Sequence, residues 1–129
     1  SIKSIFLGYE DNVLVESKKY GFNGNYLDHD SEDVTTSSYF KLKPELAKGV
    51  KKRYLDDVYG LLDGVKLGMG RAILPEHLIQ AEKGLKVLFP KTQLRVPVFV
   101  HYYESPYQTR IEKAILEALV SYFRKTFSQ

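Results

Sequence analysis

Apolar positions along the chain fall into compact runs whose spacing changes from one to the next. Arg53, Tyr54 and Leu55 form a short extended lead-in, and Asp56 and Asp57 then offer side-chain oxygens to the free N–H groups of a helix start. Val58, Leu61, Leu62 and Val65 follow at helical spacing. Gly68 can take the left-handed conformation that ends a helix. Ala72, Ile73 and Leu74 are a short apolar run, the size of a buried strand; Pro75 closes it and Glu76 opens another helix. A strand–helix–strand unit of this length predicts a right-handed crossover and a parallel pair of strands. Residues 12–15, 26–28, 86–89 and 95–103 are further strand candidates, and Ser31 or Asp33 can cap a short helix through Phe40. Near the end, Ser105 reads as a cap with Pro106 at the first helical position. Ile111, Ala114, Ile115, Ala118, Leu119, Tyr122 and Phe123 then repeat at three- and four-residue steps, one wide apolar stripe. The expected class is α/β: a mixed, mostly parallel sheet flanked by helices.

Composition narrows the function. A chain of 129 residues suits one domain, with 43% hydrophobic residues for a core and an ordinary 27% charge. It has no cysteine, which excludes disulfides, thiolate metal sites and cysteine nucleophiles. No apolar stretch approaches the roughly 20 residues needed to span a bilayer. A net charge of +3 is too small to argue for nucleic acid without a localised patch. The densest basic stretch, residues 41–53, holds six basic residues against one acid, Glu45, and reads as a solvated face.

Candidate chemistry is thin. Asp28, Asp30, Glu32 and Asp33 suggest calcium, but an EF-hand loop counted from Asp28 needs a glycine where Asp33 stands and a glutamate where Tyr39 stands. The His29–Asp30 pair lacks further ligands at metal-site spacing, since His77 and His101 stand apart from it. Gly68 and Gly70 follow a helix rather than a strand, and Ile73 replaces the third glycine of a dinucleotide loop. Nucleophile-elbow and zinc-protease motifs are absent. No catalytic residue, metal ligand or cofactor is therefore expected. Thr35, Thr36, Ser37 and Ser38 form a run of hydroxyls, good at a helix start. Two readings stand side by side: simple capping, or a cradle for a small anion.

The central stretch, LLDGVKLGMGRAILPEHLI, resembles a segment of LysR-type transcriptional regulators through Asp57, Val65, Gly68, Gly70, Leu74 and Pro75. That segment lies in their effector-binding domain, which is similar to type 2 periplasmic binding proteins. NVLV at 12–15, PVFVHYY at 97–103 and the helix after Pro106 extend the resemblance over nearly the whole chain. It implies a single partial effector-binding domain. Residues 15–100 would be approximately the second lobe, 1–14 and 95–104 the crossing strands, and 105–129 the last helix, packed on the first lobe. The resemblance further implies a non-enzymatic, cytoplasmic sensor that forms a homodimer and does not engage a membrane. It would bind a small, anionic effector and reach DNA only through an N-terminal winged helix that is missing here. The effector site would draw on Thr35, Thr36 and Ser37, with Asp57 at the central helix start and His101 and Tyr103 on the return strand. A lobe of a solute-binding protein for transport is the alternative, and a small enzyme using Ser37, His29 or Asp30 a third.

Overall fold

The computed structural model describes residues 1–127. Its elements run β1 (Ile2–Ser17), β2 (Asn25–Asp28), α1 (Thr35–Leu42), a 3-10 turn (Pro44–Ala47), β3 (Lys51–Tyr54) and α2 (Val58–Lys66). β4 (Ala72–Pro75), α3 (Glu76–Ile79), β5 (Leu85–Leu88), β6 (Leu94–Tyr103) and α4 (Arg110–Thr126) follow. The chain divides into two compact units, one made of Ser1–Glu10 with Arg95–Gln129, the other of Asp11–Leu94.

In the Asp11–Leu94 unit, the second half of β1 lies between β4 and β5. Its continuous apolar run is explained by burial on both faces. Val13 and Val15 join Leu61, Leu62, Val65 and Leu74 in one cluster, while Leu14 joins Tyr26, Tyr39 and Ile73 in another. Both ladders of β1 are antiparallel, Val13 opposite Leu74 and Val15 opposite Val87. Among the described residues the parallel ladder is β2 with β3, Tyr26 opposite Lys52, extended by the isolated parallel bridge of Tyr26 to Arg71. The sheet is thus mostly antiparallel, which corrects the mostly parallel sheet expected from the strand–helix–strand spacing. The physical reason is the long-range insertion of β1. Helical crossovers keep successive strands pointing one way, but β1 runs the other way and inserts between β4 and β5. The expected β3–β4 pair does not form either: β2 stands between, paired to β3 and bridged to Arg71 just before β4.

In the other unit, β6 pairs with the first half of β1. Ser1 meets Glu104 and Ser4 meets His101, so the two strands run in opposite directions. Arg124 of α4 donates from Nε and Nη2 to the Phe6 carbonyl, at 3.3 and 3.1 Å. The helix starts later than Ser105 and Pro106 suggest. Ser105 instead closes a turn by accepting from the Tyr107 N–H, and Thr109 is the cap, accepting from the Glu112 N–H. The buried apolar side chains here, among the described residues, are Leu7 and Val120. The stripe faces water: Ile111, Ile115, Leu119 and Tyr122 are 72%, 55%, 46% and 66% exposed. Ser128 and Gln129, the end of the expected last-helix segment, lie outside the described residues.

The glycines of the central turn have separate tasks. Gly68 has φ +77°, as expected of a helix end, and a Cβ there would stand 2.6 Å from Tyr20 Cγ. A Cβ on Gly70 would stand 2.7 Å from the Asn25 carbonyl oxygen, so this glycine permits the close approach that bridges β2 to Arg71. Gly68→Ala should destabilise the chain by more than about 1 kcal/mol in urea unfolding, because it adds a clash to the backbone strain. Gly24→Ala is the control, with φ +88° and open space around the added Cβ. It should cost only the strain; equal losses in the two variants would rule out the Tyr20 contact as a cause.

Candidate functional site

The loop between β2 and α1 is organised by Asp33. Its Oδ2 accepts from the His29 N–H at 2.9 Å, and its Oδ1 accepts from the Thr35 N–H at 2.9 Å and the Thr35 hydroxyl at 2.5 Å. Asp30 tightens the turn by accepting from the Glu32 N–H and, through its carbonyl, the Asp33 N–H. Burial pushes the Asp33 carboxyl up. The donors from Thr35 and His29 outweigh it and hold the group below its ordinary value of 3.8.

This loop forms one wall of a cavity of about 220 Å³. Asn12, His29, Asp33 and Thr35 supply polar groups; Val58 and Leu61 of α2 and Ile73, Leu74 and Pro75 of β4 supply an apolar floor. Such a mixture of apolar surface and few polar groups is typical of small-molecule sites, although the volume lies below the roughly 300–1,000 Å³ usual for them. His29 Nδ1 lies 3.3 Å from the Leu55 carbonyl oxygen. A carbonyl only accepts, so Nδ1 carries a proton and Nε2 is left for another partner.

Beside the cavity, the Thr36 hydroxyl donates to Asp28 Oδ1 at 2.5 Å, and Lys52 Nζ lies 3.5 Å from Asp28 Oδ2. Lys52 also donates to the Ser37 hydroxyl at 2.8 Å. Asp28 is buried, and its Oδ2 has this ion pair but no hydrogen bond. Burial, helped by nearby Asp33, raises the Asp28 carboxyl above 3.8 against the opposing pull of Thr36 and Lys52. A third polar group of this unit is Glu16, which accepts from Arg71 Nε at 3.0 Å and lies 3.3 Å from Lys86 Nζ.

No protein-family model matches the sequence, and no curated protein matches it either. Solved structures do match. ArgP from Mycobacterium tuberculosis is similar at a TM-score of 0.80 and 15% identity, over 99% of this chain and 48% of that chain. The full-length LysR-type regulator LysG from Corynebacterium glutamicum, with bound effector Arg, gives 0.73 and 14%, over 99% and 48%. The regulatory domain of CcmR from Synechocystis, in complex with 2-PG, gives 0.68 and 14%, over 95% and 67%. The fold is that of LysR-type regulatory domains. The chain spans about half the length of ArgP and LysG.

Within this LysR-type fold, the residues expected to bind effector are dispersed. Thr35 lines the cavity. Thr36 is buried against Asp28, Ser37 is exposed and held by Lys52, and neither lines it. Asp57 is exposed and caps α2, accepting from the Gly60 N–H at 2.7 Å. His101 and Tyr103 belong to the other unit; His101 Nδ1 is 2.7 Å from the Ser4 hydroxyl, and Tyr103 is exposed. The hydroxyl run does hold anions, and they are the chain's own carboxylates: Thr35 holds Asp33 and Thr36 holds Asp28. Asn12 was missed as a lining residue, although a polar residue heading an apolar strand is a visible signal. The structure also shows Asp33 as a wall residue, beyond the capping role its position suggests.

The two carboxyls should act oppositely on stability. Asp33, lowered in the fold, contributes stability that is present above 3.8 and lost as pH falls through its folded pKa. Asp28, raised, contributes stability that is present below 3.8 and lost as pH rises through its folded pKa. Asp33→Ala, which removes the acceptor for His29 and Thr35, should cost on the order of 1 kcal/mol at neutral pH, and the gap should narrow in acid. Carboxyl ¹³C NMR titration should place Asp28 above 3.8 and Asp33 below it; the reverse order would refute the assignment.

Proposed function

We propose that this chain is the effector-sensing part of a LysR-type transcriptional regulator. The observation that carries the reading is the cavity of His29, Asp33, Thr35 and Asn12 in a fold shared with LysR-type regulatory domains. LysG with bound Arg and CcmR in complex with 2-PG support a small-molecule effector. That the neighbours are regulators favours sensing over a transport lobe of the same architecture. In the whole protein, a cytoplasmic one on this reading, effector binding would bias the arrangement of winged-helix domains on DNA. Ser37 is held by Lys52 and Asp30 closes a turn, which supports binding rather than catalysis. Among the described residues no helix is long and apolar enough to cross a membrane.

The cavity lining favours an effector that carries a hydrogen-bond donor, such as an amine, over a purely anionic one. Asp33 puts a negative charge at the wall, and the lining holds neither Lys nor Arg. Titrating L-arginine into the ¹⁵N-labelled chain should shift the amides of Asn12, His29 and Thr35, with affinity on the order of 1 mM. His29→Ala should weaken binding several-fold, and acetate should leave these amides unmoved. Shifts confined to other residues would discard this cavity as the effector site.

We also infer a homodimer from α4. Each large apolar side chain is worth roughly 1.5–3 kcal/mol when fully buried, and Ile111, Ile115, Leu119 and Tyr122 are all exposed. A second copy of the helix supplies a self-complementary cover. Light scattering after size exclusion should give about twice the 14.8 kDa chain mass, and Leu119→Lys should abolish that species. A monomer at micromolar concentration would refute the dimer.

A further inference from the structure

We propose that Asn23 is a site of spontaneous covalent modification, whose side-chain amide becomes a carboxylate and releases the segment before β2 from the turn after α2. The chain has three asparagines, and Asn23 alone is followed by glycine. Asn12 is buried and Asn25 half-buried, whereas Asn23 is exposed. The nucleophile is the backbone nitrogen of Gly24, which no Cβ hinders. Gly24 has φ +88°, and a Cβ there would meet nothing within 4 Å, so there is room for a ring to close. Among the described residues the Gly24 N–H donates no hydrogen bond that closure would break.

The surrounding donors favour the reaction. Asn23 Oδ1 accepts from the Asn25 N–H at 3.0 Å. When the Gly24 nitrogen attacks Asn23 Cγ, this oxygen gathers negative charge, and a fixed donor already points at it. The Gly24 nitrogen gives its proton to hydroxide, the new N–C bond closes a five-membered imide, and the Cγ–Nδ2 bond breaks. The leaving nitrogen takes a proton from water and departs as ammonia. Water then opens the imide at either carbonyl, which leaves aspartate or the β-linked isoaspartate. No electrons change hands, and water is the only reagent consumed.

The product cannot keep the contacts of the amide. Asn23 Nδ2 donates to the carbonyl oxygens of Gly68 and Met69, at 3.3 and 3.1 Å. A carboxylate in its place donates nothing and sets its own charge against those two oxygens. The same segment packs Tyr20 on Gly68 and lays the Phe22 ring 3.8 Å from the Arg71 guanidinium. Isoaspartate also lengthens the backbone just before Asn25, whose carbonyl accepts from the Arg71 N–H and which pairs with Lys51. Conversion of one exposed amide therefore loosens the join between β2 and the α2–β4 turn.

The test ages the folded chain at mildly alkaline pH and follows each asparagine by peptide mapping with mass spectrometry. Asn23 should convert at least tenfold faster than Asn12 or Asn25, to a mixture of aspartate and isoaspartate, while the ¹⁵N spectrum still shows a folded chain. Gly24→Ala should slow the conversion at least tenfold. Should that variant unfold, the capped peptide of residues 21–26 is the comparison: it lacks the fixed Asn25 donor, so the folded chain should convert at least as fast. Asn23→Asp should move the amides of Gly68, Met69 and Gly70 as ageing does. Conversion of Asn23 no faster than of the other two, or slower in the folded chain than in the peptide, would overturn the proposed site. Unmoved amides at Gly68–Gly70 in Asn23→Asp would overturn the proposed release.

Discussion

The second half of β1 is buried on both faces, and the rest of the Asp11–Leu94 unit follows from that. Val13 and Val15 demand apolar cover on one side and Leu14 on the other, so helices must pack against both. β4 answers with the same alternation, Ala72 and Leu74 one way and Ile73 the other. A strand this enclosed leaves little room for charge. Glu16 is tolerated because Arg71 and Lys86 meet its two oxygens, and Arg71 is itself steadied by the Phe22 ring 3.8 Å away. Ion pairs of this sort add little net stability, but removing one partner leaves a buried charge that costs several kcal/mol. Glu16 therefore fixes where Arg71 must stand, and Arg71 in turn takes its backbone to Asn25 and bridges β4 to β2.

The loop after β2 inherits its shape from that bridge. Leu27 and Asp28 are buried because β2 is anchored, so the chain leaves the core with a carboxylate still inside it. Thr36 and Lys52 are the response to that group. Asp33, a few residues later, is less buried and collects three donors, which is why two aspartates of one loop shift in opposite directions. The cavity wall is thus a by-product of solving two desolvation problems in sequence. Its Thr35 hydroxyl is already engaged by the chain's own Asp33, which leaves His29 Nε2 as the group most open to a ligand.

How much of this was legible in the sequence depends on the range of the interaction. Gly68 and the Asp57 cap were readable because a helix end and a helix start are decided within four residues. The late start of α4 was readable too, had Thr109 and Glu112 been weighed as a capping pair; the Ser105–Pro106 signal instead marks a turn. Strand direction was not readable. Whether β4 pairs with β3 or with β1 depends on a contact some sixty residues away in the chain, Val13 with Leu74, and no local spacing encodes it. The placement of the candidate site residues was hidden for a similar reason. Thr35 and Thr36 are neighbours in sequence, yet one faces the cavity and the other the core, and only the packing of α1 decides which.

Fold likeness at 14–15% identity and chemical individuality are therefore compatible. What the fold demands of this chain is a pattern of burial: continuous apolar runs in the strands, Gly68 with positive φ at a helix end, and Gly70 where β2 and Arg71 approach. Those demands constrain residue type loosely and position tightly, so they persist while most side chains change. The cavity obeys the opposite rule. Its position follows from the shared strands and helix starts, but its selectivity depends on a handful of side chains free to vary without disturbing the core. An Asp wall beside a His whose Nδ1 proton is fixed by a backbone carbonyl is one such choice. Such a choice would set a ligand preference that the fold alone does not, so any ligand of this cavity has to be argued from His29, Asp33 and Asn12 rather than transferred from a neighbour.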